Sequence, residues 1–434
     1  MDRNEGSEFM TKNMTTQASI VIIGAGCIGS SAAYHLSQMG VTDVVVLERE
    51  DAIASVTTGQ AAGNIGQVRS SVERIRFEMD CVATYRKLQE NPVAPPTWRE
   101  TGSIRIALSD QRMAEFRGLA ANAEQAGLEV ELYDHVPDGL LWPGMKSDEI
   151  KGVLWCPSDG YLQPVDLTNA YRHNAKEAGV RFLTGVDVTD IELRNGRVDT
   201  VCTTQGRIKC EKVINCAGFS AWRIARMVGL EFPIFPVRHQ YMVTTPIEGI
   251  TPDLPIFRVP DLNLYGRPDI NSMLLGGWEG SATSIDPRKV NWEAGMPQAE
   301  PSLEAQLEFT ENAAQVFPAV MEVGMRSLFS GWPTVTPDGG YAIGETSAVP
   351  GFVMGTACNI HGVGGSAAIG RLIAASITDG PHPDFGSGYN ADRLLNKTES
   401  WSNQKNKAIR ISENYYTLEN NSGDLSKSEV NGDV

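Results

Sequence analysis

The sequence has few of the features that define membrane and nucleic-acid-binding proteins. Among its 434 residues, no apolar run reaches the ~18 residues that a membrane-spanning helix needs. Acidic side chains outnumber basic ones by 53 to 37, and the formal charge of −16 repels phosphate backbones and anionic lipid surfaces. Nucleic-acid binding and membrane insertion are therefore both disfavoured.

Cysteine and histidine are also scarce. The seven cysteines are an odd number without CxxC spacing, so we expect reduced, mostly buried thiols in a cytoplasmic protein and no metal site. Residues 1–17 lack the apolar core of a signal peptide. They are interpreted as a leader or a cloning remnant, with a natural start near Met10 or Met14.

A glycine-rich turn follows the first predicted strand, in the stretch SIVIIGAGCIGSSAAYHLSQMG. Gly24, Gly26 and Gly29 fit G-x-G-x-x-G, whose glycines allow a tight turn, close approach of a pyrophosphate, and close packing of helix and strand. Glu48 ends the next strand, near the spacing of about 20 residues expected for a carboxylate that accepts ribose hydroxyls. The unit predicts a dinucleotide site, and the acid disfavours the 2′-phosphate of NADP.

A second glycine-rich segment near the other end of the chain distinguishes FAD from NAD. The stretch NIHGVGGSAAIGRLIAA again opens a helix, and its backbone N–H groups are predicted to face the electron-rich edge of an isoalloxazine ring. A nicotinamide enzyme has no need of such a segment. FAD is therefore the preferred cofactor.

The pattern of elements changes along the chain from α/β to antiparallel β and back. We predict an α/β fold in which a discontinuous Rossmann-type FAD-binding domain is interleaved with an antiparallel-sheet substrate domain. The predicted segments are 18–100, 155–225 and 325–385 for FAD binding, 101–154 and 226–324 for the substrate, and 416–434 for a disordered tail.

Five stretches together resemble one enzyme family. The unit from Gly24 to Glu48, GSIRIA, DGYLQPVDL, VINCAG and TPDGGYAIGE…PGFVMGTACNIHGVGGSAAIGRLIA are similar to the glycine oxidase, sarcosine dehydrogenase and dimethylglycine dehydrogenase group of FAD-dependent amine oxidoreductases. The resemblance implies the fold of glutathione reductase and D-amino-acid oxidase. It also implies oxidation of the C–H bond next to a secondary or tertiary amine, often in an N-methyl amino acid.

The resemblance assigns roles to individual cofactor-binding residues. Gly24, Gly26 and Gly29 are expected to bind the pyrophosphate, Glu48 the ribose, and Val188 the adenine through its backbone. The other implied cofactor contacts are Cys27, Ile28, Arg49, Thr58, Gly59, Ala61, Ala217, Gly218, Asp338, Gly362, Val363, Gly364 and Gly365.

The sequence departs from the family pattern at three places. Gln60 stands where dimethylglycine dehydrogenase-type relatives carry a flavin-linking histidine, and Gly331 where sarcosine oxidase-type relatives carry a flavin-linking cysteine. Since neither residue can form that bond, FAD is expected to be non-covalent. Gly364 and Gly365 replace a lysine that pairs with the substrate carboxylate in sarcosine oxidase-type relatives, so a larger or less anionic amine than sarcosine is expected.

The implied reaction needs little acid or base help from the protein. Hydride passes from the carbon beside a neutral amine to flavin N5, and hydrolysis of the imine releases formaldehyde from an N-methyl group. His361 and His239 are the candidates for tuning amine protonation. A structural hydrogen bond is the alternative role for His239.

A carboxylate on the substrate would need an arginine fork. Arg69 and Arg267 are the preferred candidates, Arg238 and Arg326 are further ones, and a structural or solvated arginine is the alternative for each. Three aromatic residues in predicted strands are interpreted either as core or as a cage for a methylated ammonium. They are Tyr241, Tyr265 and Trp278.

Two other functions stay open at this point. The chain would also suit a flavin-carrying subunit of a larger oxidoreductase, or an enzyme that oxidises a 2-hydroxy acid with His361 as its base. The electron acceptor, oxygen or another electron-transfer partner, and a homo-oligomeric state are likewise undecided.

Overall fold

The computed structural model describes residues 16–378, 383, 387–395 and 398–418. Residues 1–15 of the predicted leader and 419–434 of the predicted tail lie outside the described residues. The helices are α1 (Cys27–Gln38), α2 (Val72–Gln89), α3 (Asp110–Ala126), α4 (Pro164–Glu177), α5 (Ala221–Met227), α6 (Leu303–Ala314), α7 (Ser366–Ala375) and α8 (Trp401–Glu413).

Short strands alternate with these helices. In chain order, the strands are β1 (Ile20–Ile23), β2 (Val44–Leu47), β3 (Asn64–Ile65), β4 (Ser103–Ala107), β5 (Glu131–Tyr133), β6 (Gly152–Cys156), β7 (Gly160–Tyr161), β8 (Arg181–Leu183), β9 (Val188–Arg194), β10 (Arg197–Thr203), β11 (Gly206–Lys209), β12 (Lys212–Asn215), β13 (Phe235–Pro236), β14 (His239–Thr244), β15 (Ile256–Val259), β16 (Leu264–Asp269), β17 (Ser272–Gly277), β18 (Met325–Gly331), β19 (Thr334–Val335), β20 (Ala342–Glu345) and β21 (Phe352–Thr356).

A six-stranded sheet joins the two ends of the chain. Its order is β20-β21-β12-β1-β2-β8, and all neighbours are parallel except β20 and β21. The central strand β1 is fully buried, as its sequence of four β-branched residues favours. One face packs against α1, α2, α4 and α7, and the other against the antiparallel sheet β9–β11 and α5. The predicted α/β architecture is confirmed.

The middle of the chain supplies most of an eight-stranded sheet. Its order is β18-β14-β17-β16-β15-β4-β6-β5, and only β15 and β4 are parallel neighbours. Strand β18 begins at residue 325, where the sequence placed the return to the FAD-binding domain, but it pairs with β14 of this sheet. The exact division into domain segments stays a prediction.

The end of the described chain differs from the sequence prediction. The disordered tail was expected to begin at residue 416, yet Tyr416 is only 4% exposed. Helix α8 precedes it and is capped by Ser400, whose side chain accepts a hydrogen bond from the N–H of Asn403 at 3.3 Å. The prediction was wrong at residue 416 because the contacts that bury Tyr416 come from distant parts of the chain.

Two further findings bear on the class of protein. No helix in the described part of the chain combines the length and the apolar character needed to cross a bilayer. All seven cysteines are free, and five of them are buried, as the sequence predicted.

Candidate active site

The glycine turn between β1 and α1 brings three glycines into different surroundings. Gly24 has a φ of +102°, and an added β-carbon would lie 2.5 Å from the carbonyl oxygen of Cys216. At Gly29 it would lie 2.0 Å from the carbonyl oxygen of Gly24. At Gly26 the nearest atom would be Oγ1 of Thr58 at 3.1 Å. Gly24 and Gly29 are therefore required by the fold, whereas Gly26 leaves bare backbone that faces a cavity.

The start of α1 has the properties of an anion site. Gly26 is the N-cap and provides no capping side chain, and the first turn holds no acidic residue. The hydroxyl of Thr58 accepts a hydrogen bond from the N–H of Cys27 at 3.2 Å, and the positive end of the helix dipole faces the cavity beside it. Glu48 at the end of β2 accepts hydrogen bonds from the N–H groups of Ala25 at 2.8 Å and Glu50 at 3.0 Å, and burial raises the pKa of its carboxyl group.

One long cavity connects this turn with the second glycine-rich segment. It encloses about 1800 Å³ of space outside the protein atoms, including solvent at its mouth. Glu48 and Val188 line this cavity, and so do Gly362 and Gly364. The cavity therefore includes both regions that the sequence assigned to a dinucleotide.

Most of the predicted cofactor-binding residues line this cavity. They are Gly24, Gly26, Cys27, Ile28, Glu48, Arg49, Thr58, Ala61, Val188, Ala217, Gly218, Gly362, Val363 and Gly364. The sequence analysis omitted several other lining residues. These include Asn64, Phe219, Ser220, Arg223, Arg258, Trp332, Cys358, Tyr415 and Tyr416.

Four predicted cofactor-binding residues lie away from the cavity surface. Gly29 packs inside the turn, and Gly59 lines a second, separate cavity. Gly365 is the N-cap of α7. Asp338 forms an ion pair with Arg393 at 2.7 Å and fixes a turn, so the structure does not support direct contact of Asp338 with a ligand.

The backbone before the second glycine segment is strained. Ala357, Asn359 and Ile360 have φ values of +58°, +45° and +67°, a region that residues with side chains rarely adopt. The side-chain oxygen of Asn359 accepts a hydrogen bond from the N–H of Thr336 at 3.1 Å, which helps to hold this geometry. The strained segment presents His361 and the glycines that follow it to the cavity.

Both ring nitrogens of His361 are hydrogen-bonded. Nη2 of Arg69 lies 3.3 Å from Nδ1, and the hydroxyl oxygen of Tyr415 lies 2.7 Å from Nε2. Since arginine only donates, Nδ1 accepts and Nε2 carries the proton. Burial, followed by the positive charges of nearby arginines, holds the pKa of His361 well below its usual value. His361 is therefore neutral and has no free lone pair for a substrate.

His239 is a second neutral histidine on the cavity wall. Its Nε2 lies 2.9 Å from the hydroxyl oxygen of Tyr265, and its ring lies 4.7 Å from that of Trp278. Burial lowers the pKa of His239 to about 4. Tyr265 and Trp278 line the same cavity, whereas Tyr241 lines the second one.

The two arginines preferred from the sequence do not line the main cavity. Arg69 is held by Glu78 at 3.1 Å, by the carbonyl of Val68 and by His361. Arg267 donates to the carbonyl of Ala62 at 2.6 Å and lines the second cavity. Both guanidinium groups are engaged within the fold, and direct binding of a carboxylate by either arginine stays a prediction.

The two further arginine candidates are paired with acids. Arg238 forms a buried ion pair with Glu279 at 2.5 Å, and neither residue lines the main cavity. Arg326 pairs with Asp269 at 2.5 Å and lines the second cavity. Neither arginine is therefore placed to bind a substrate carboxylate in the main cavity.

Arg258, in the middle of β15, lines the main cavity, as do Arg49 and Arg223. It is 8% exposed, and within the described part of the chain its guanidinium has one hydrogen bond, a long one of 3.5 Å to the hydroxyl of Tyr416. Arg105, its register partner on β4, is half-buried, and desolvation and the charge of Arg258 lower the pKa of Arg105 to about 10. A charged residue within the apolar stretch PIFRVP was the sequence signal that could have revealed Arg258.

The site as a whole fits FAD. Bare backbone at Gly26 and the start of α1 suit a pyrophosphate, and the carboxylate of Glu48 suits ribose hydroxyls. Val363 and the neighbouring Gly362 and Gly364 line the same cavity. The described residues contain no group of three or more histidine, cysteine, aspartate or glutamate side chains that could hold a metal ion.

Several characterised enzymes are similar to this chain in sequence. Rat mitochondrial dimethylglycine dehydrogenase is 28% identical over 377 residues, which are 85% of this chain and 44% of the relative. Mouse mitochondrial sarcosine dehydrogenase is 30% identical, over 86% of this chain and 41% of the relative. The formaldehyde-forming 4-methylaminobutanoate oxidase of Paenarthrobacter nicotinovorans is 27% identical, over 89% and 47%. The chain thus spans less than half the length of each of these relatives.

Solved structures share the fold over almost their entire length. L-proline dehydrogenase from P. horikoshii superposes with a TM-score of 0.78 at 23% identity, covering 88% of this chain and 98% of that protein. Glycine oxidase from Geobacillus kaustophilus gives a TM-score of 0.73 at 20% identity, covering 89% and 100%. The family model described as "DAO: FAD dependent oxidoreductase" matches residues 19–376. The chain therefore belongs to the FAD-dependent oxidoreductases of this family.

Proposed function

We propose that this protein oxidises the C–H bond beside the nitrogen of a small secondary or tertiary amino acid, and that N-methylated amino acids are its substrates. The observation that carries the proposal is Arg258. It is a buried guanidinium that lines the same cavity as Gly362 and Gly364, and no acidic side chain of the described residues lies within ion-pair distance of it. Burial opposes its charge, but Tyr416, Tyr415 and the buried Asp159 raise the pKa of Arg258 above its usual value. Arg258 therefore stays charged and can bind a ligand of opposite charge.

The charges around Arg258 favour a substrate carboxylate. Arg105 and Arg69 lie close enough to affect the pKa values of neighbouring groups, and both contribute positive charge. This positive potential attracts an anion and disfavours a protonated amine nearby. Arg258 can therefore perform the task of the lysine that Gly364 and Gly365 replace, and the expectation of a less anionic amine is not favoured.

The remaining side chains bind and orient the amine rather than transfer its proton. FAD, when bound, supplies the acceptor for the hydride that leaves the carbon beside nitrogen. Trp278 and Tyr265 form an aromatic wall of the cavity that helps to exclude water, and His239 is neutral, so it cannot donate a proton to the lone pair of the amine. The product imine is hydrolysed by water.

The named relatives support an N-methyl substrate. Dimethylglycine dehydrogenase, sarcosine dehydrogenase and formaldehyde-forming 4-methylaminobutanoate oxidase are all named for N-methylated amino acids. The shared chemistry is a carboxylate and an N-methyl group in one small molecule. We infer that this chain catalyses N-demethylation with release of formaldehyde.

The alternative functions have less support. Oxidation of a 2-hydroxy acid needs a base, but both nitrogens of His361 are occupied by Arg69 and Tyr415. A role as a flavin-carrying subunit stays a prediction that the native mass of the purified protein would test. The electron acceptor, oxygen or another partner, the oligomeric state and the cytoplasmic location stay predictions as well.

The direct experiment is anaerobic reduction of the bound flavin by a substrate panel. Sarcosine, dimethylglycine and 4-methylaminobutanoate are mixed with the purified holoprotein, with lactate as the 2-hydroxy acid control, and formaldehyde is measured. Loss of flavin absorbance and stoichiometric formaldehyde with at least one amine are expected. The proposal would be contradicted if lactate were the only compound to bleach the flavin. It would also be contradicted if no member of a wide panel of N-methyl amino acids bleached it.

A further inference from the structure

The chain beyond the family match contributes to the cavity. The match ends at residue 376, whereas Tyr415 and Tyr416 follow α8 and line the cavity beside Arg258 and Trp278. We propose that Tyr415 and Tyr416 are specificity-determining residues of the substrate site. Tyr416 provides a second donor for the carboxylate at Arg258, and Tyr415 limits the size of the molecule that fits. This inference rests on the function proposed above.

Helix α8 fixes the position of the two tyrosines. The ring of Trp401 lies 4.9 Å from that of Phe235, and its Nε1 donates to the carboxylate of Asp286 at 3.2 Å. At the other end of the helix, the carboxylate of Glu413 accepts a hydrogen bond from the N–H of Ala282 at 3.0 Å. The helix is thus attached at both ends, and the residues that follow it enter the cavity in a defined position.

Tyr416 is held with its hydroxyl toward Arg258. Its carbonyl oxygen accepts a hydrogen bond from Nη2 of Arg112 at 2.8 Å, and its side chain is buried. The 3.5 Å between its hydroxyl and Nη1 of Arg258 is at the limit of a hydrogen bond. Both groups therefore retain hydrogen-bonding capacity, and a carboxylate can accept from the guanidinium and from the hydroxyl together.

Tyr415 covers the aromatic wall of the cavity. Its ring is stacked on Trp278 with a centroid distance of 3.8 Å and an interplanar angle of 12°. Its hydroxyl oxygen is fixed at 2.7 Å from Nε2 of His361. The space over the indole is therefore already filled, so a substrate with a bulky apolar substituent has no room there.

Carboxylate binding to the holoprotein tests this inference without any turnover. Acetate and phenylacetate are titrated against the unaltered protein and against the variants Tyr416→Phe and Tyr415→Leu, and the change in flavin absorbance gives each Kd. Tyr133→Phe, on the edge strand β5, is the matched control. Tyr416→Phe is expected to raise the Kd of acetate about 10-fold, the loss of one hydrogen bond to a charged group. Tyr415→Leu is expected to shift the preference toward phenylacetate about 10-fold, because it opens the space over Trp278.

The results separate a binding role from a purely structural one. If both variants bind the two acids like Tyr133→Phe, even with a lower melting temperature, the inference is overturned. It is also overturned if acetate does not bind the unaltered holoprotein. If no amine reduces the flavin but the two acids follow the expected pattern, the proposed reaction fails and the role of the tyrosines stands.

Discussion

Gln60 and Gly331 lie against each other on the wall of the cavity. A β-carbon added to Gly331 would lie 2.8 Å from the side-chain oxygen of Gln60. The family resemblance found in the sequence places flavin-linking side chains of two types of relatives at these two positions. In this chain the two positions share one small space, and neither holds a residue that can form a bond to a flavin.

Acid precipitation tests the attachment of the cofactor. We expect trichloroacetic acid to release all of the yellow colour into the supernatant, because no side chain at either position is a nucleophile. The thiol of Cys358 also lines the cavity, but burial raises its pKa to about 12, so it is not a reactive thiolate at neutral pH. Flavin fluorescence that stays with the denatured polypeptide on a gel would contradict non-covalent binding.

Two alanine substitutions in the glycine turn should affect different properties: one should lower FAD affinity, and the other should lower the stability of the fold. Gly26→Ala adds a methyl group at a backbone with an ordinary φ of −70°, so we expect the apoprotein to keep its melting temperature while FAD affinity falls at least 10-fold. Gly24→Ala forces a contact of 2.5 Å at a φ of +102°, so it should destabilise the fold itself. Thermal unfolding of the apoprotein and quenching of FAD fluorescence measure the two effects. An unstable Gly26→Ala protein, or one with normal FAD affinity, would show that this glycine has another role.

Removal of the guanidinium of Arg258 should weaken substrate binding. The variant Arg258→Met is expected to raise KM for the amino acid about 100-fold, from the loss of about 2–3 kcal/mol of charge-assisted hydrogen bonding. Arg326→Met is the control, since Arg326 lies on the second cavity and its side chain is 45% exposed. Equal KM values for the two variants would exclude Arg258 from carboxylate binding.

His239 should make stability depend on pH in a defined window. Its pKa is lowered to about 4 in the folded protein, against about 6.5 when unfolded, so the unfolded chain binds more protons between these values. Above pH 6.5 the imidazole is neutral in both states and does not lower the free energy of unfolding. As the pH falls from 6.5 toward 4, protonation of the unfolded chain lowers the free energy of unfolding. Urea unfolding of His239→Gln should therefore show up to about 3 kcal/mol less acid destabilisation than the unaltered protein over this window. Parallel pH curves for the two proteins would refute a buried neutral histidine at this position.

The sequence was informative where the chemistry depends on local pattern. Gly24, Gly26 and Glu48 belong to one strand–turn–helix–strand unit, so spacing alone located them on the cavity. The second glycine segment was recognised because it again opens a helix, far along the chain from the first glycine turn. The fold class followed from the same patterns, since the strands β1 and β2 are short and wholly apolar.

The substrate side of the cavity could not be read from the sequence in the same way. Arg69 was assigned to the substrate, but the side chain that engages it, Glu78, becomes a partner only when α2 packs. Tyr415 and Tyr416 reach the cavity from a segment beyond the family match, and nothing in their local pattern indicates a site. Residues that act through long-range contacts were therefore missed.

The central claim is that the cavity selects an amine that carries a carboxylate and delivers it to FAD. The measurement that tests this claim most directly is stopped-flow reduction of the flavin without oxygen. The two compounds compared are sarcosine and sarcosine amide, in which a neutral carboxamide replaces the carboxylate. We predict saturable reduction by the N-methyl amino acid and a half-saturating concentration about 100-fold higher for the amide, since the amide offers Arg258 no charge. Equal reduction by both compounds, or no reduction by any N-methyl amino acid, would contradict the account.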